Sequence, residues 1–433
     1  MRTATLSLFL SLSLLLISAT NPPVVETIIA DDMAYLLEFY KVRHQNPEIS
    51  LQEKETAAEL TKELEKIGFE VTQNFGGYGI VGIYKNGKGP TILYRTDMDA
   101  LPMYEKTELA YQSKQTTEYN GQEIGTMHSC GHDMHMTSWL GTARAMVKMK
   151  DNWKGTLMLI GQPAEEIGAG ALLMLKAGLY EKFGTPDYGF GLHCSPTIES
   201  GKVGFGKGYT MANTESVDII VKGVGAHGAS PHMSIDPVVT ASMIVMELQT
   251  IVSRNLKPTE AAVVTVGAIE GGIKHNIIPD KVTLKLTLRT YKEDVRQMVH
   301  KRIKEIAKGI AMANGTPDEL LPQVIFPKEF TPANFNNENL VDIMSNAAIK
   351  SIGAANVEET EPLMLGEDFS RYGTTKEKVP TVLYWLGTAP KERLESKNIP
   401  GLHSPYYYPV PENTIKTAIT VNTNALLDLF GKN

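Results

Sequence analysis

The sequence predicts an α/β fold in which a mainly parallel sheet domain carries a smaller inserted α+β lid domain. Strand-like and helix-like segments alternate through the first part of the chain, which is typical of a parallel sheet. Near Tyr209 the order changes to β-α-β-β-α, which suits a ferredoxin-like unit. The alternating pattern resumes by Pro327. We therefore assign residues 28–208 and 326–433 to the sheet domain, and residues 209–325 to the lid.

Each element of the sheet domain is predicted from a local pattern. Ser50 and Glu53 form a capping-box pair ahead of an apolar repeat, which predicts a helix start at Ser50. The remaining elements follow from apolar runs and their flanking glycines. They are strands at Gly79–Tyr84, Thr91–Arg95, Gly155–Ile160 and directly before His193, and helices at Thr137–Met149 and Ala169–Ala177.

The lid elements show the same two periodicities. Alternating apolar residues predict strands, and apolar residues three or four apart predict helices. The strands are expected at Glu215–Val221, Ala262–Ile269 and Val282–Arg289, and the helices at Pro237–Ser253 and Val295–Met312.

Composition narrows the class of protein. The chain has 433 residues, of which 42% are hydrophobic and 21% charged, as in globular proteins of two to three domains. The formal net charge is −7, and we find no tract dense in Lys and Arg. Nucleic acid is therefore not an expected partner, because phosphate binding needs a concentrated basic surface.

The N-terminus has the layout of a secretory signal peptide, which we assign to residues 1–20. Arg2 precedes an apolar run from Leu6 to Ile17, and small residues follow it. The run is too short for a good membrane span. We expect a secreted or periplasmic protein with no membrane association after cleavage. With two cysteines, Cys130 and Cys194, the chain has no disulfide framework.

Two acidic or metal-binding clusters follow predicted strands in the first half of the chain. Asp97 and Asp99 come after the strand at Thr91–Arg95, where carboxylates could bind a metal or orient a histidine. Residues 127–135 (MHSCGHDMH) place Cys130 and His132 on either side of a glycine. Thiolate and imidazole are ligands for Zn²⁺ or another first-row metal.

Further candidate ligands lie beyond these clusters. Glu165 and Glu166 follow the strand at Gly155–Ile160, and adjacent carboxylates in extended chain face opposite ways, so one can bind metal while the other meets water. His193 follows an apolar run, and His403 lies near the C-terminus. A lone histidine more often has a structural role. The interpretation of His193 and His403 as metal ligands rests on their completing a ligand set.

These motifs resemble the metallo-aminoacylase family, which includes hippurate hydrolases, N-acetyl-amino-acid deacetylases and plant auxin-conjugate hydrolases. The resemblance extends from about His44 to His403. It implies a di-metal hydrolase domain, with Glu165 as the general base and Asp99 orienting a ligand histidine. The implied metal ligands are Cys130, His132, Glu166, His193 and His403. Two divalent ions are expected; Mn²⁺ and Zn²⁺ are favoured, and Co²⁺ and Ni²⁺ are compatible.

The resemblance also assigns roles in the lid. It implies that His227 assists the substrate carbonyl, often across a dimer interface, and that Asn276 and Arg289 bind the substrate carboxylate. The expected substrate is a small N-acyl amino acid, and a homodimer through the lid is expected by analogy. The chain departs from the family at Gly366, where serine is common, and at Lys274-His275.

Alternatives remain open at this level. A dipeptidase or carboxypeptidase of the same fold would also hydrolyse an amide beside a carboxylate. A non-catalytic exported binding protein is a second reading, although Glu165 is present. A third concerns redox, because a disulfide between Cys130 and Cys194 would remove the thiolate ligand.

Overall fold

The computed structural model describes residues 24–396 and 398–431. The predicted signal peptide, residues 1–20, therefore lies outside the described residues. Within the described ranges, no helix is long and apolar enough to cross a membrane.

The first part of the chain forms one half of the large domain. Its helices are α1 (Val24–Gln45), α2 (Lys54–Lys66), α3 (His132–Lys148), α4 (Gly170–Lys176) and α5 (Leu179–Phe183). Its strands are β1 (Glu70–Thr72), β2 (Ile80–Asn86), β3 (Thr91–Asp97), β4 (Thr116–Tyr119), β5 (Gln122–Gly125), β6 (Gly155–Gln162), β7 (Tyr188–Glu199), β8 (Val203–Phe205) and β9 (Gly208–Met211).

The lid follows, and the chain then returns to the large domain. The lid contains β10 (Glu215–Lys222), β11 (Ala226–His227), α6 (Pro237–Thr250), β12 (Ala262–Gly271), β13 (Ile277–Ile278), β14 (Lys281–Thr290), α7 (Glu293–Ala313) and β15 (Gln323–Ile325). The returning chain contains β16 (Asn334–Asn336), α8 (Glu338–Ile352), β17 (Val357–Glu359), α9 (Ser370–Thr374), β18 (Thr381–Ala389), α10 (Lys391–Ser396) and α11 (Pro411–Phe430).

The large domain is built on an eight-stranded sheet with the order β1-β2-β6-β3-β7-β18-β8-β17. Its four central strands, β6, β3, β7 and β18, are mutually parallel. They are buried along nearly their whole length, as expected for a parallel sheet covered by helices on both faces. Helices α1, α3, α8 and α11 cover one face and α4, α5 and α9 the other. The predicted fold class is confirmed.

The lid is a four-stranded antiparallel sheet, β12-β14-β10-β15, packed on α6 and α7. Buried and less buried residues alternate along β14, as in a sheet with a single covered face. Asp236 caps α6 by accepting hydrogen bonds from the amides of Val238 and Val239, and Pro237 occupies the first turn. The β-α-β-β-α-β order is that of a ferredoxin-like unit.

Two predicted helix starts were wrong. Helix α2 begins at Lys54 rather than Ser50, and neither Ser50 nor Glu53 makes a capping hydrogen bond in it. Instead, the side chain of Ser50 donates a hydrogen bond to Asp99, and that of Glu53 accepts one from the amide of Ala164. Helix α3 begins at His132, five residues before the predicted Thr137, because its first turns carry polar residues that the apolar pattern does not detect.

Candidate metal centre and active-site cavity

The candidate site lies at the carboxyl ends of the central parallel strands. In the register of β3 with β6, Asp97 lies beside Gln162, so the two loops that follow these strands leave the sheet together. Asp99 follows β3, and Glu165 and Glu166 follow β6. His193 lies within β7, opposite Trp385 of β18. Ligands of parallel α/β sheets bind at this edge.

A tight turn presents Cys130 and His132 to the same point. Gly131 is the N-cap of α3 and has a φ of 83°, in the left-handed region that favours glycine. A Cβ atom at this position would lie 3.0 Å from both Cβ and Sγ of Cys194. The turn therefore needs glycine for its conformation and for its space, and it places Cys130 just before the helix and His132 in its first turn.

The five predicted metal ligands converge. The Sγ of Cys130 lies 3.5 Å from Nε2 of His193 and 3.3 Å from Nε2 of His403. Oε2 of Glu166 is 3.3 Å from Nε2 of His403, and Oε1 of Glu166 is 3.8 Å from Nε2 of His132. Among these five residues, the donor atoms form two groups of three in which all atoms lie within 4.8 Å of one another, and Cys130 belongs to both. The groups are Cys130, His132 and His193, and Cys130, Glu166 and His403.

Hydrogen bonds orient the ligands. Nδ1 of His132 donates to the backbone carbonyl of Asp99 at 2.7 Å, and Nδ1 of His193 donates to the carbonyl of Cys194 at 2.9 Å. Each ring therefore turns its Nε2 toward the cluster, as metal-binding histidines do. Nε2 of His132 and Oε1 of Glu166 are buried without a hydrogen-bond partner, so the donor set fits a metal ion.

Asp99 lies behind this shell, as expected for a residue that orients ligands. Its Oδ1 is 3.4 Å from Nδ1 of His132. Its Oδ2 accepts hydrogen bonds from the hydroxyl of Ser50 at 2.6 Å and from the amide of Glu166 at 3.0 Å. Asp99 thus links the loops that carry His132 and Glu166.

Asp97 and His135 are engaged elsewhere and do not complete the ligand set. Nδ1 of His135 is 2.6 Å from Oδ1 of Asp97, and its Nε2 accepts from the amide of Cys194 at 2.8 Å. The other oxygen of Asp97 accepts from Arg95 at 2.7 Å. Of the two roles open to Asp97 from the sequence, the structure favours the orientation of a histidine.

Arg95 is a buried cation that sequence reasoning missed. It donates to Asp97, to Glu367 at 2.8 Å and to Asp368 at 3.3 Å, and it is fully buried with them. Glu367 and Asp368 come from a loop more than 270 residues away in the chain. Buried charges of this kind require close partners. No local sequence motif indicates that Arg95 pairs with Glu367 and Asp368.

Negative charge dominates the centre. Burial, followed by the charges of Glu367 and Glu166, raises the pKa of Glu165 well above its usual range. Burial and the charges of Glu166 and Glu165 likewise raise the pKa of the Cys130 thiol. Divalent cations compensate such a cluster and deprotonate a coordinating thiol. Both cysteines are free thiols in the structure.

Glu53 holds the turn that presents Glu165, and it was also missed. Its Oε1 accepts from the amide of Ala164 at 2.7 Å, and Ala164 has a φ of 53°, unusual for a residue with a side chain. Glu53 is fully buried, and burial together with the charge of Asp99 raises its pKa to about 7. The sequence shows Glu53 only as a helix-capping residue.

A cavity of about 550 Å³ opens on the centre, between the large domain and the lid. Carboxylates and the candidate metal ligands Cys130, His193 and His403 line it, and Arg289 of β14 faces it from the lid. Arg289 is half-buried, and burial lowers its pKa. Its one hydrogen bond to a side chain is donated to Thr214, and no carboxylate of the described residues pairs with it. The apolar part of the wall includes Met211, Met364, Leu365, Trp385 and Leu402.

The other two lid residues predicted to contact substrate lie apart from this cavity. His227 in β11 is exposed, next to Ile277 of β13 in the ladder. Asn276 is also exposed, and its carbonyl accepts a hydrogen bond from the amide of Gly228. Neither lines the cavity of its own chain. The structure therefore brings together Arg289 and the seven predicted residues of the large domain, and separates His227 and Asn276 from them.

Comparisons with known proteins agree with this arrangement. The family model described as peptidase family M20/M25/M40 matches residues 93–428. A hippurate hydrolase of Campylobacter jejuni is 40% identical over 337 residues, which cover 77% of this chain and 84% of the relative. A thermostable carboxypeptidase of Saccharolobus solfataricus is 35% identical over 358 residues, covering 82% of this chain and 86% of the relative.

A solved structure has the same fold over almost the whole length of this chain. It is a dinuclear metal-binding peptidase of the M20 family from Bacillus subtilis, 29% identical, with a TM-score of 0.76, covering 93% of this chain and 99% of that chain. The family match spans the sheet edge, the cysteine turn and the lid described above. The chain therefore belongs to peptidase family M20/M25/M40 and is a metal-dependent amidohydrolase.

Proposed function

We propose that this protein hydrolyses the amide bond of N-acyl amino acids with two divalent metal ions. The observation that carries the proposal is Arg289, a cation without an acidic partner among the described residues, which faces the same cavity as the metal-binding cluster. A half-buried guanidinium in such a place suits a carboxylate ligand, which it can bind through two parallel hydrogen bonds.

The two donor groups give the proposed ligands. Cys130, His132 and His193 would hold one ion, and Cys130, Glu166 and His403 would hold the other. Mn²⁺ and Zn²⁺ are the favoured ions, and Co²⁺ and Ni²⁺ are compatible with the same ligands. When bound, the ions polarise a substrate carbonyl and lower the pKa of water.

Glu165 is the proposed general base. Its donor atom lies within 4.8 Å of those of His132 and Glu166, which puts it beside the cluster without belonging to either group above. Its surroundings raise its affinity for a proton, and general bases act best when their pKa is near the working pH. Glu165 takes a proton from the attacking water and gives it to the departing amine nitrogen.

The rest of the cavity supports an acyl substrate. Arg289 binds the carboxylate of the amino acid, and the wall of Met211, Met364, Leu365 and Trp385 offers apolar surface to the acyl group or side chain. Burial of such groups adds binding energy of about 25 cal/mol per Å². The hippurate hydrolase relative acts, by its name, on a substrate of this class.

Removal of the Arg289 charge is expected to weaken the use of carboxylate substrates selectively. For Arg289→Met we expect kcat/KM for an N-acyl amino acid to fall about 10- to 100-fold, because a charge-assisted hydrogen bond contributes about 1.5–3 kcal/mol. The corresponding carboxamide should lose much less. Steady-state kinetics with both substrates measure this. Equal losses for the two substrates would contradict the role of Arg289.

A carboxypeptidase activity is the second candidate, and the relative from Saccharolobus solfataricus favours it. Both activities place a carboxylate beside the scissile amide, so Arg289 serves either. A panel of N-acetyl amino acids, N-benzoyl amino acids and dipeptides separates them. Our proposal expects the acylated amino acids to have the higher kcat/KM.

We also propose that two copies associate through the lid, so that each His227 serves the cavity of the partner. Two features support this. His227 is exposed and lies outside the cavity of its own chain. Helix α6 also exposes apolar side chains on the surface, and β12 is an edge strand of the lid sheet. The exposed side chains are Val238, Val239, Met243 and Met246. Such a surface is typical of an interface.

Mixing two inactive variants tests this assembly. Glu165→Gln and His227→Ala should each be nearly inactive alone. In a mixed dimer, the His227→Ala subunit keeps its own Glu165 and receives His227 from its partner. An equimolar mixture that has exchanged subunits should therefore regain about a quarter of the wild-type activity, by the arithmetic of random pairing in a two-fold dimer. No recovery despite confirmed exchange would rule out a role for His227 in trans.

Export of the protein is a separate proposal that rests on residues 1–20 alone. The basic start, the short apolar run and the small residues after it support a cleaved signal peptide. Sequencing the N-terminus of the mature protein tests it.

A further inference from the structure

The guanidinium of Arg289 is held by a threonine at the point where the chain enters the lid. Nη1 of Arg289 donates to the hydroxyl of Thr214, which directly precedes β10. The backbone of Thr214 is fixed by two hydrogen bonds with Thr331, at 2.9 and 3.1 Å. These bonds fix the backbone that carries the hydroxyl, so the hydroxyl is a well-placed acceptor for Arg289.

The neighbouring residues clamp the same point. The amide of Asn213 donates to the carbonyl of Thr290 at 2.8 Å, and the amide of Thr290 donates to Oδ1 of Asn213 at 3.1 Å. Thr214 and Arg289 are each adjacent in sequence to one member of this Asn213–Thr290 pair, which joins the start of the lid to the end of β14. Arg289 is positioned by this junction as well as by its own strand.

Gly366 has no side chain, and this leaves room for the contact between Thr214 and Arg289. A Cβ atom on Gly366 would overlap the hydroxyl of Thr214, and it would lie 3.1 Å from Cβ of Thr214 and 3.3 Å from Nη1 of Arg289. The φ of Gly366 is outside the left-handed region, so the position needs glycine for space rather than for backbone conformation.

The backbone around Gly366 cannot easily move away. The carbonyl of Leu365 accepts from the amide of Ala212 at 2.9 Å, and Glu367 is bound to the buried Arg95. A side chain at position 366 would therefore displace Thr214 and Arg289 rather than its own loop. In a tightly packed interior, an added methyl group forces neighbouring side chains out of their preferred rotamers.

We propose that Gly366 and Thr214 are positioning residues that aim Arg289 at the carboxylate of the substrate. Gly366 leaves room for the threonine hydroxyl, the hydroxyl takes up one N–H of the guanidinium, and the remaining N–H groups face the cavity. The preference for a charged carboxylate over a neutral carboxamide then depends on all three residues. This proposal rests on the role given to Arg289 in the proposed function.

The test compares substrates that differ in charge alone. The quantity measured is the ratio of kcat/KM for the best N-acyl amino acid to kcat/KM for its carboxamide, with every variant loaded with the same metal. Thr214→Val keeps the shape and removes the acceptor, and we expect the ratio to fall about 5- to 10-fold, as for a lost hydrogen bond. Gly366→Ala should lower it at least as much. Both losses should appear mainly in KM, because they concern ground-state binding.

A double variant distinguishes aiming from general damage. Thr214→Ala opens the space that a side chain at position 366 needs, so Gly366→Ala combined with Thr214→Ala should match Thr214→Ala alone within about twofold. Thr287→Val is the matched control, since Thr287 lies two residues before Arg289 on the same face of β14. It should leave the ratio unchanged.

Three results would overturn the proposal. One is an unchanged ratio in Thr214→Val. Another is a Gly366→Ala variant that loses activity equally on both substrates, or whose loss Thr214→Ala does not relieve. The third is an unchanged ratio in Arg289→Met, which would remove the proposed role of Arg289 itself. A changed ratio in Arg289→Met with none in Thr214→Val would refute the positioning residues alone.

Discussion

Glu165→Gln is expected to abolish amide hydrolysis while both metal ions stay bound. Glutamine keeps the shape of the side chain and cannot accept and return a proton. General base catalysis typically contributes 10²–10⁴-fold, so we expect kcat to fall by about 10³-fold. The measurement is kcat together with the metal content of the purified variant.

The control for this variant is Glu181→Gln, which makes the same change at an exposed position of α5. It should keep normal activity and metal content. Retention of more than a few per cent of activity by Glu165→Gln would contradict its role. Loss of metal from Glu165→Gln would show that Glu165 is itself a ligand.

Cys130→Ala is expected to lose both metal ions. The thiol sulfur belongs to both donor groups, so its removal leaves two ligands in each. Changes to groups that merely support a ligand already cost 10–100-fold in metal affinity, and we expect a loss of more than about 100-fold for this shared ligand. Metal titration of the stripped protein measures it.

Cys194→Ala is the matched control, because it removes a buried thiol from a residue adjacent to His193. Its Sγ lies 3.8 Å from the carbonyl of Gly131, and it belongs to neither of the two donor groups. It should bind metal normally. A Cys130→Ala protein that keeps two tightly bound ions would show that the thiolate is not the shared ligand.

The candidate metal ligands Cys130, His132 and Glu166 could be recognised in the sequence because each lies in a short motif after a strand or at a turn. Cys130, Gly131 and His132 are consecutive, and Glu165 and Glu166 are adjacent. Parallel strands then bring these motifs to one edge. The sheet domain and the order of the lid elements followed from periodicity for a similar reason, since each pattern is local.

The residues that support the site could not be predicted, because their partners are distant in the chain. Arg95 and Glu367 are 272 residues apart, and Glu53 and Ala164 are 111 apart. Ser50 and Glu53 also matched a local capping pattern, which competed with their actual contacts. Tertiary hydrogen bonds prevailed there, because a buried carboxylate is stabilised more by several amide donors than by one helix end.

The lid shows the same limit. Arg289 was expected in the site and lies there, whereas His227 and Asn276 lie outside the cavity of their own chain. The family resemblance gives His227 a role that is often played across a dimer interface, which a single chain does not contain. Gly366 gave a weaker signal, as a departure from the family pattern, and the structure shows that a Cβ atom there would overlap the hydroxyl of Thr214.

The central claim is that this chain hydrolyses N-acyl amino acids by means of bound divalent metal. The most direct test is hydrolysis of hippurate and N-acetyl-methionine by the metal-stripped protein, with and without added Mn²⁺, Zn²⁺ or Co²⁺. We predict no turnover without metal and restored turnover with at least one of the ions. Stoichiometric metal uptake without hydrolysis of either substrate would contradict the claim.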